Sequence, residues 1–393
     1  MSPSTVIIRV AVLAAEGTHQ GRSMSYQLTL VADAAGFVAL EEAWTGLLAA
    51  VATATIFASW QWNFAWWHHW GDAGSPYIVA VRDSRDGLVG LAPLWAGRVG
   101  PWRRLTFLGN GLSDAGDFLL HPAHAAPAAA AIFAFLYANR RAWDLLDLDE
   151  VPATSPLGPA LDPAPRGYRL LVRPRNDNPV IPLPPTWEDY TRSLKRKPRY
   201  VVEGLTQRFV REQGAEFLLV TAPEDCAAAV ADLYRLHRAR WASRPDELTA
   251  EHRLPAFVPF LTEVCRRCAR QGWLRLGQLR VDETTIAAAL DFALGDHWEG
   301  YLTGFDPAWQ DHRPGRLLDG FILRAAIHAG AGEYHYGRGD EGYKYEMGAL
   351  ARRSRRFVLA TGSPRSVAAF TALQLRGRGR DLLRRLQPAP LPL

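Results

Sequence analysis

Two short stretches carry residue types whose spacing could do chemistry. The first, His312-Arg-Pro-Gly-Arg-Leu-Leu318, opens a predicted helix with a Pro-Gly pair between Arg313 and Arg316. A helix start leaves backbone N–H groups pointing outward with the positive end of the dipole behind them, and guanidinium groups add charged donors. That arrangement suits a diphosphate or another anion; an ordinary helix start with proline at its first position is the alternative. The second stretch, Gly337-Arg-Gly-Asp-Glu-Gly-Tyr-Lys344, sets one of the chain's three lysines (Lys195, Lys197, Lys344) after a glycine loop. Lys344 would hold a phosphate, carboxylate or oxyanion as a point charge, or make a surface ion pair with Asp340 or Glu346.

His237, Arg240 and Trp241 share a face of another predicted helix at i, i+3 and i+4, and would line an acceptor pocket or form a core cluster. Asp291, Glu299, His335 and Tyr343 stand near predicted strand ends without a decisive spacing. Other apparent motifs fail on context. Cys265-x-x-Cys268 lies inside a helical pattern without the strand of a redox fold. His68-His69 and His121-x-x-His124 lack companion ligands at useful spacing, so no metal is expected. Gly-x-Ser-x-Gly is absent, which argues against an α/β-hydrolase.

The elements that must position these residues follow from periodicity. After a strand from Met24, a helix spans about Ala34 to Thr53. The run Phe57 to Trp67 puts Trp60, Phe64 and Trp67 on one apolar helical stripe, read as core rather than a substrate-stacking surface. Tyr77–Arg82 and Leu88–Leu94 flank Asp86-Gly87 as a hairpin. Leu105–Leu108, the Ala-rich helix Ala125–Arg141 and the strand Trp143–Leu148 follow. Ten prolines between Pro152 and Pro185 predict mostly extended connector. The second half opens with a helix from Trp187 to about Gln213, interrupted near Pro198. The strand Ala215–Thr221 and the helices Pro223–Arg244 and Leu254–Gln271 come next. A strand trio (Trp273–Val281, Thr285–Ala293, His297–Thr303) leads to the helix Arg316–Ala329 and the strands Glu333–Tyr336 and Arg355–Ala360. Both halves share a helix, hairpin, helix order, which suggests two copies of one α/β (α+β) fold.

Composition sets the outer bounds. At 393 residues, with 48% hydrophobic and 22% charged positions, the chain can build two domains and is not mainly disordered. No window approaches a membrane span, and three cysteines cannot make a disulfide framework, which points to a reducing, cytoplasmic setting. Val6–Ala15 is apolar but has no basic lead-in or crisp cleavage site, so an extended start is favoured over a signal peptide. Net charge is +5, yet Arg352–Leu393 alone holds ten Arg against Asp381. That tail would lie on an anionic membrane leaflet as two short apolar-basic pieces, broken at Gly377 and Gly379, or pack back on the second domain. No DNA partner is expected.

The order of several pieces carries a family resemblance. They are the aromatic run Phe57–Trp67, Leu88-Val-Gly-Leu-Ala-Pro-Leu94, Phe107-Leu-Gly109 with Ser113-Asp114, Leu236-His-Arg-Ala-Arg-Trp241, Pro314-Gly-Arg316 and Gly337–Lys344. Together they resemble the GNAT-superfamily acyltransferases of the cellulose-biosynthesis-associated (CelD/BcsL-like) type, relatives of the FemAB peptidyltransferases. The resemblance implies two tandem GNAT-like domains, each a mixed, mostly antiparallel sheet flanked by helices. These would be residues 24–178 and 179–362, after a disordered or mis-called start (1–23) and before a basic tail (363–393). It also implies transfer of an acyl, usually acetyl, group from acyl-CoA to an amine or hydroxyl of a small-molecule or glycan acceptor, in envelope polysaccharide metabolism. Arg313, Gly315, Arg316 and Leu317 would then hold the donor's phosphates, although the usual glycine-rich phosphate loop is degenerate here. Asp340 or Glu341 would be the base, Lys344 would assist catalysis, and His237, Arg240, Trp241 and Tyr343 would meet the acceptor. Two alternatives remain: a FemAB-like transferase drawing on aminoacyl-tRNA, and a non-catalytic subunit of a polysaccharide synthase. Convergence of Asp340, Lys344 and Arg313 on one cleft would separate the enzyme from the silent subunit.

Overall fold

The computed structural model describes residues 6–8, 25–242 and 254–386. Its strands are β1 (Val6–Ile8), β2 (Gln27–Val31), β3 (Ser75–Arg82), β4 (Leu88–Val99), β5 (Trp102–Phe107), β6 (Leu119–Leu120), β7 (Leu145–Pro152), β8 (Arg169–Asp177), β9 (Val180–Pro182), β10 (Glu216–Val220), β11 (Leu274–Val281), β12 (Thr284–Leu294), β13 (His297–Phe305), β14 (Glu333–His335) and β15 (Arg353–Ala360). They form two mixed sheets flanked by helices. The first runs β1-β2-β3-β4-β5-β7-β15-β8 with β6 on β4; the second runs β10-β11-β12-β13-β14-β9.

Each sheet repeats one unit. An antiparallel hairpin (β4–β5, β12–β13) is followed by a helix (Ala125–Ala138, Pro314–His328) and then a parallel strand (β7 on β5, β14 on β13). The Asp86-Gly87 turn joins β3 to β4 with Asp86 at φ 64. β3 is buried on both faces: Tyr77, Val79 and Val81 pack toward the Ala125–Ala138 helix, while Ile78 faces a core built around the Trp60–Trp70 helix. That second core is shared between the halves. The Trp62 ring meets Phe260 at 5.1 Å and Tyr301 at 5.0 Å, and its indole N–H donates to Ser113 Oγ at 2.9 Å. The Trp60 stripe is core, stacked on Phe64 at 4.4 Å.

Several local expectations differ from the structure. Helix Ala34–Thr53 is two helices, Ala34–Ala39 and Glu41–Ala49. The proline-rich connector contains a nine-residue strand, β8, which accepts Pro174 because it lies at the edge of the sheet and need not donate on its outer side. The Trp187 helix breaks at Leu194, which is extended at ψ 148, and resumes as Arg196–Tyr200, a wide turn at Val201–Leu205 and Thr206–Gln213. β15 sits between β7 and β8 in the first sheet, not with the second-half strands beside which the sequence put it. In its place β9, from the junction, closes the second sheet against β14.

Within the segment expected to be disordered, Val6–Ile8 pairs with β2; the rest of 1–24 lies outside the described residues. The tail is one helix, Pro364–Leu386, not two pieces. Its start is anchored, because Ala369 and Phe370 pack on Leu145, Val358 and Ala360 of the first sheet, and an interior glycine costs only about 0.5–1 kcal/mol. The membrane-facing side chains proposed from Arg376 onward lie outside the described residues. No helix among the described residues is long and apolar enough to cross a membrane.

Candidate functional site

The central element is β13, His297–Phe305. Its register with β12 passes from Leu290↔Leu302 to Asp291↔Gly300, so Tyr301 is an extra, bulged residue. On its other side β13 pairs with β14 only over His297–Glu299. Past Glu299 the two strands part, and the β13 edge from Gly300 to Phe305 has no strand partner there. The Cys226–Arg240 helix packs against β13 at Gly304, where a Cβ would come within 2.2 Å of the His237 nitrogen; only glycine permits that approach. His237 fastens the contact through Nδ1 to Thr303 O at 3.0 Å, and burial lowers its pKa so that it stays neutral.

A cavity of about 260 Å³ lies in this opening, lined by Thr303, Phe305, Arg313, Gly315, Arg316 and Asp319 among others. Asp306 caps the turn after β13 by accepting from Ala308 N–H at 2.9 Å. Arg313 then takes a left-handed conformation (φ 55) that swings the chain into the Pro314–His328 helix. The helix start is more closed than the sequence suggests. Arg316 and Leu317 N–H both turn onto Arg313 O, at 2.9 and 3.2 Å, and proline has no N–H. Gly315 N–H is therefore the outward donor. Leu317, expected to bind donor, is fully buried in the apolar core.

Arg316 leans over the Tyr343 ring at 5.1 Å and has a buried Nη1 without a hydrogen-bond partner, while Arg240 lies 5.4 Å from Phe305. Both face Asp319, whose carboxyl is pushed up to about 6 by burial despite Arg316, Arg240 and Lys344. Asp319 was not singled out in the sequence. Its signal was an acid on the buried, otherwise apolar face of the Pro314–His328 helix.

Arg313, Gly315, Arg316, Arg240 and Tyr343 thus converge on one cavity. The other expected residues do not, so the convergence of Asp340, Lys344 and Arg313 expected as the mark of an enzyme is not met. Lys344 is buried, and its ammonium donates to Arg338 O (2.8 Å) and Gly339 O (3.2 Å) and pairs with Glu341 (2.9 Å). All three of its donors serve its own loop, which corrects the anion-binding role. Asp340 is exposed on that loop and is not among the residues that line the cavity. Trp241 flanks Arg240 at 5.1 Å from its guanidinium.

A larger cleft, about 660 Å³, runs between the two halves. Thr55 and Asp114 line it from the first half, and His297, Glu299, His335 and Gly337 from the second. Glu299 is 3% exposed and accepts Ile56 N–H at 2.8 Å; burial, with the nearby Asp114 charge, pushes its carboxyl up to about 8. His297 stacks on His335 at 4.6 Å and is pushed down to about 4 by burial and that neighbour. Two segments singled out in the sequence meet here: Asp114 accepts from Arg338 Nε and, at 3.1 Å, from Arg338 N–H. Gly337, at φ 70, lets the chain pass so close to Asp114.

Comparison with known proteins agrees with this architecture. Residues 196–345 match the family model described as an acetyltransferase (GNAT) domain. No curated protein matches the sequence. Among solved structures, FemX superposes with a TM-score of 0.61 at 12% identity, covering 82% of this chain and 96% of FemX. The C-terminal domain of a putative lysylphosphatidylglycerol synthetase from Agrobacterium fabrum gives 0.55 at 14% identity, covering 86% and 97%. L-PGS from Bacillus licheniformis gives 0.52 at 11% identity, covering 84% and 92%. At these identities the likeness is one of fold. Residues 196–345 thus match a GNAT acetyltransferase domain, and the whole two-sheet fold is similar to that of FemX.

Proposed function

We propose that the protein transfers an acyl group, most simply acetyl, from acyl-CoA to an amine or hydroxyl on a polar small molecule or glycan. One observation carries the reading: β13 borders both cavities. Thr303 and Phe305 line the smaller one, and Glu299, on the same strand, lines the cleft between the halves. A donor lying along the unpaired β13 edge, its diphosphate at Gly315, Arg313 and Arg316, would present its thioester near the Tyr301 bulge. An acceptor in the cleft would approach from the Glu299 side, so the strand aligns the reactants.

Acyl transfer needs a base, and Glu299 replaces Asp340 in that role. A carboxylate whose pKa lies near the working pH is a competent proton acceptor, whereas Asp340 is exposed and lines neither cavity. In the step, the amine or hydroxyl attacks the thioester carbonyl, Glu299 takes its proton, and CoA leaves as the thiolate, which is then protonated. Asp319 places negative charge beside Arg316 and Arg240, and Glu346 pairs with Arg316 Nη2 at 3.5 Å. At about 260 Å³ the donor cavity is smaller than the roughly 300–1,000 Å³ of full ligand pockets, so it would enclose only part of CoA.

That small enclosure and the single outward N–H also favour a second reading, an aminoacyl ester of tRNA as donor. Calorimetry with CoA and acetyl-CoA separates them. Saturable binding that weakens in Arg316→Ala supports the first reading, and no binding of either compound rejects it.

A further inference from the structure

His68-His69, without a companion ligand in the sequence, gains one in the fold. Glu263, on the Phe257–Arg270 helix of the second half, points its Oε2 at His68 Nδ1 (2.8 Å) and His69 Nε2 (3.0 Å). One atom from each residue can be chosen so that all three lie within 4.8 Å of one another. The other carboxylate oxygen, Oε1, accepts from Arg267 Nε at 2.8 Å, the outer support that ligating carboxylates commonly have. Although burial works the other way, His68 and Arg267 hold the Glu263 carboxyl below its usual range, so it is ionised at neutral pH. A groove of about 610 Å³ adjoins the cluster, lined by His69, Thr262, Glu263, Arg266 and Arg270 among others.

We propose that His68 Nδ1, His69 Nε2 and Glu263 Oε2 form a three-ligand site for a divalent transition cation of the Zn²⁺ class, open toward that groove. Two imidazoles and a carboxylate suit such ions, whereas Mg²⁺ and Ca²⁺ take oxygen shells. Bonds of roughly 2.0–2.2 Å need only a modest spreading of the present contacts, which the exposed His68 side chain (60%) can make. A water or small anion completes the sphere from the groove side; because Arg266, Arg267 and Arg270 already make that side cationic, an anion is the favoured fourth ligand. The site joins the Trp60–Trp70 helix of the first half to the Phe257–Arg270 helix of the second, so an ion there staples the halves together.

The test titrates ZnCl₂ into the chelator-stripped full chain by calorimetry and follows the melting temperature in parallel. The wild type should bind one equivalent and melt higher with zinc. His68→Ala/His69→Ala, which keeps the Glu263–Arg267 pair, and Glu263→Gln should each weaken binding by at least about tenfold, the lower end of what loss of a supporting residue costs, and lose the melting shift. Absence of saturable one-to-one binding, or unchanged affinity in the double-histidine variant, would overturn the site and leave a hydrogen-bonded contact between helices.

Discussion

Glu299→Gln isolates the chemistry assigned to the cleft, because glutamine keeps the oxygen that accepts Ile56 N–H and removes only the titration. Burial raises the Glu299 carboxyl from 4.5 to about 8. Between those values the unfolded chain has released this proton and the folded chain retains it, so the group's contribution to stability falls as pH rises. At about 1.36 kcal/mol per pKa unit, the loss is at most roughly 5 kcal/mol by pH 8 and absent below pH 4. Urea denaturation of wild type and variant at pH 5 and pH 8.5 should therefore show Glu299→Gln gaining relative stability at the higher pH, by a few kcal/mol. In turnover assays the same variant should lose roughly 10²–10⁴ in kcat, the usual worth of a general base, with little change in donor KM. Equal stability differences at both pH values would mean that Glu299 titrates as an ordinary carboxyl and would refute the reasoning.

Four further outcomes follow from the geometry. Arg313→Ala/Arg316→Ala should weaken CoA binding by several kcal/mol at most, since each charge-assisted contact is worth roughly 1.5–3 kcal/mol; calorimetry measures it. Lys344→Met should lower stability by about 1–3 kcal/mol, because Arg338 O and Gly339 O lose their donor, and the denaturation midpoint reports it. Asp340→Asn should leave kcat within twofold, roughly the scatter of a neutral surface change; a large loss would return the base to that loop. Asp114→Ala should cost about 3 kcal/mol by stranding the Arg338 guanidinium, and limited proteolysis should find the 337–344 loop opened.

The sequence made the architecture legible because periodicity reports burial. The β3–β4 hairpin, the β11–β13 trio and the Pro314–His328 helix all announced themselves through alternation, turn residues or a helix-start proline. It did not show which sheet a strand joins: β15 ends in the continuous apolar run Phe357–Ala360 and β9 is only three residues long, and their partners are set by the way the chain crosses between the halves. The Arg313–Arg316 segment and Arg240 were legible as charges at a helix start and on a helix face. Lys344 misled, because a rare residue type in a glycine loop signals constraint, and here the constraint is three donors turned inward. Glu299 was visible only as a polar group near a strand end, and Asp319 not at all, for the opposite reason. Their chemistry comes from burial and from the neighbours Ile56 and Asp114 at Glu299, and Arg316 and Arg240 at Asp319, residues distant in sequence or one turn away. Likewise His68-His69 shows nothing until Glu263 arrives, 194 residues from His69.

The most direct test of the two-compartment account is a crystal structure of the protein with CoA. The account predicts the diphosphate at Gly315 N–H, Arg313 and Arg316, with the pantetheine arm along the unpaired β13 edge and the thiol near the Tyr301 bulge. The cleft holding Glu299 should remain open to an acceptor. Density for CoA inside the 660 Å³ cleft, or elsewhere than on β13, would contradict it.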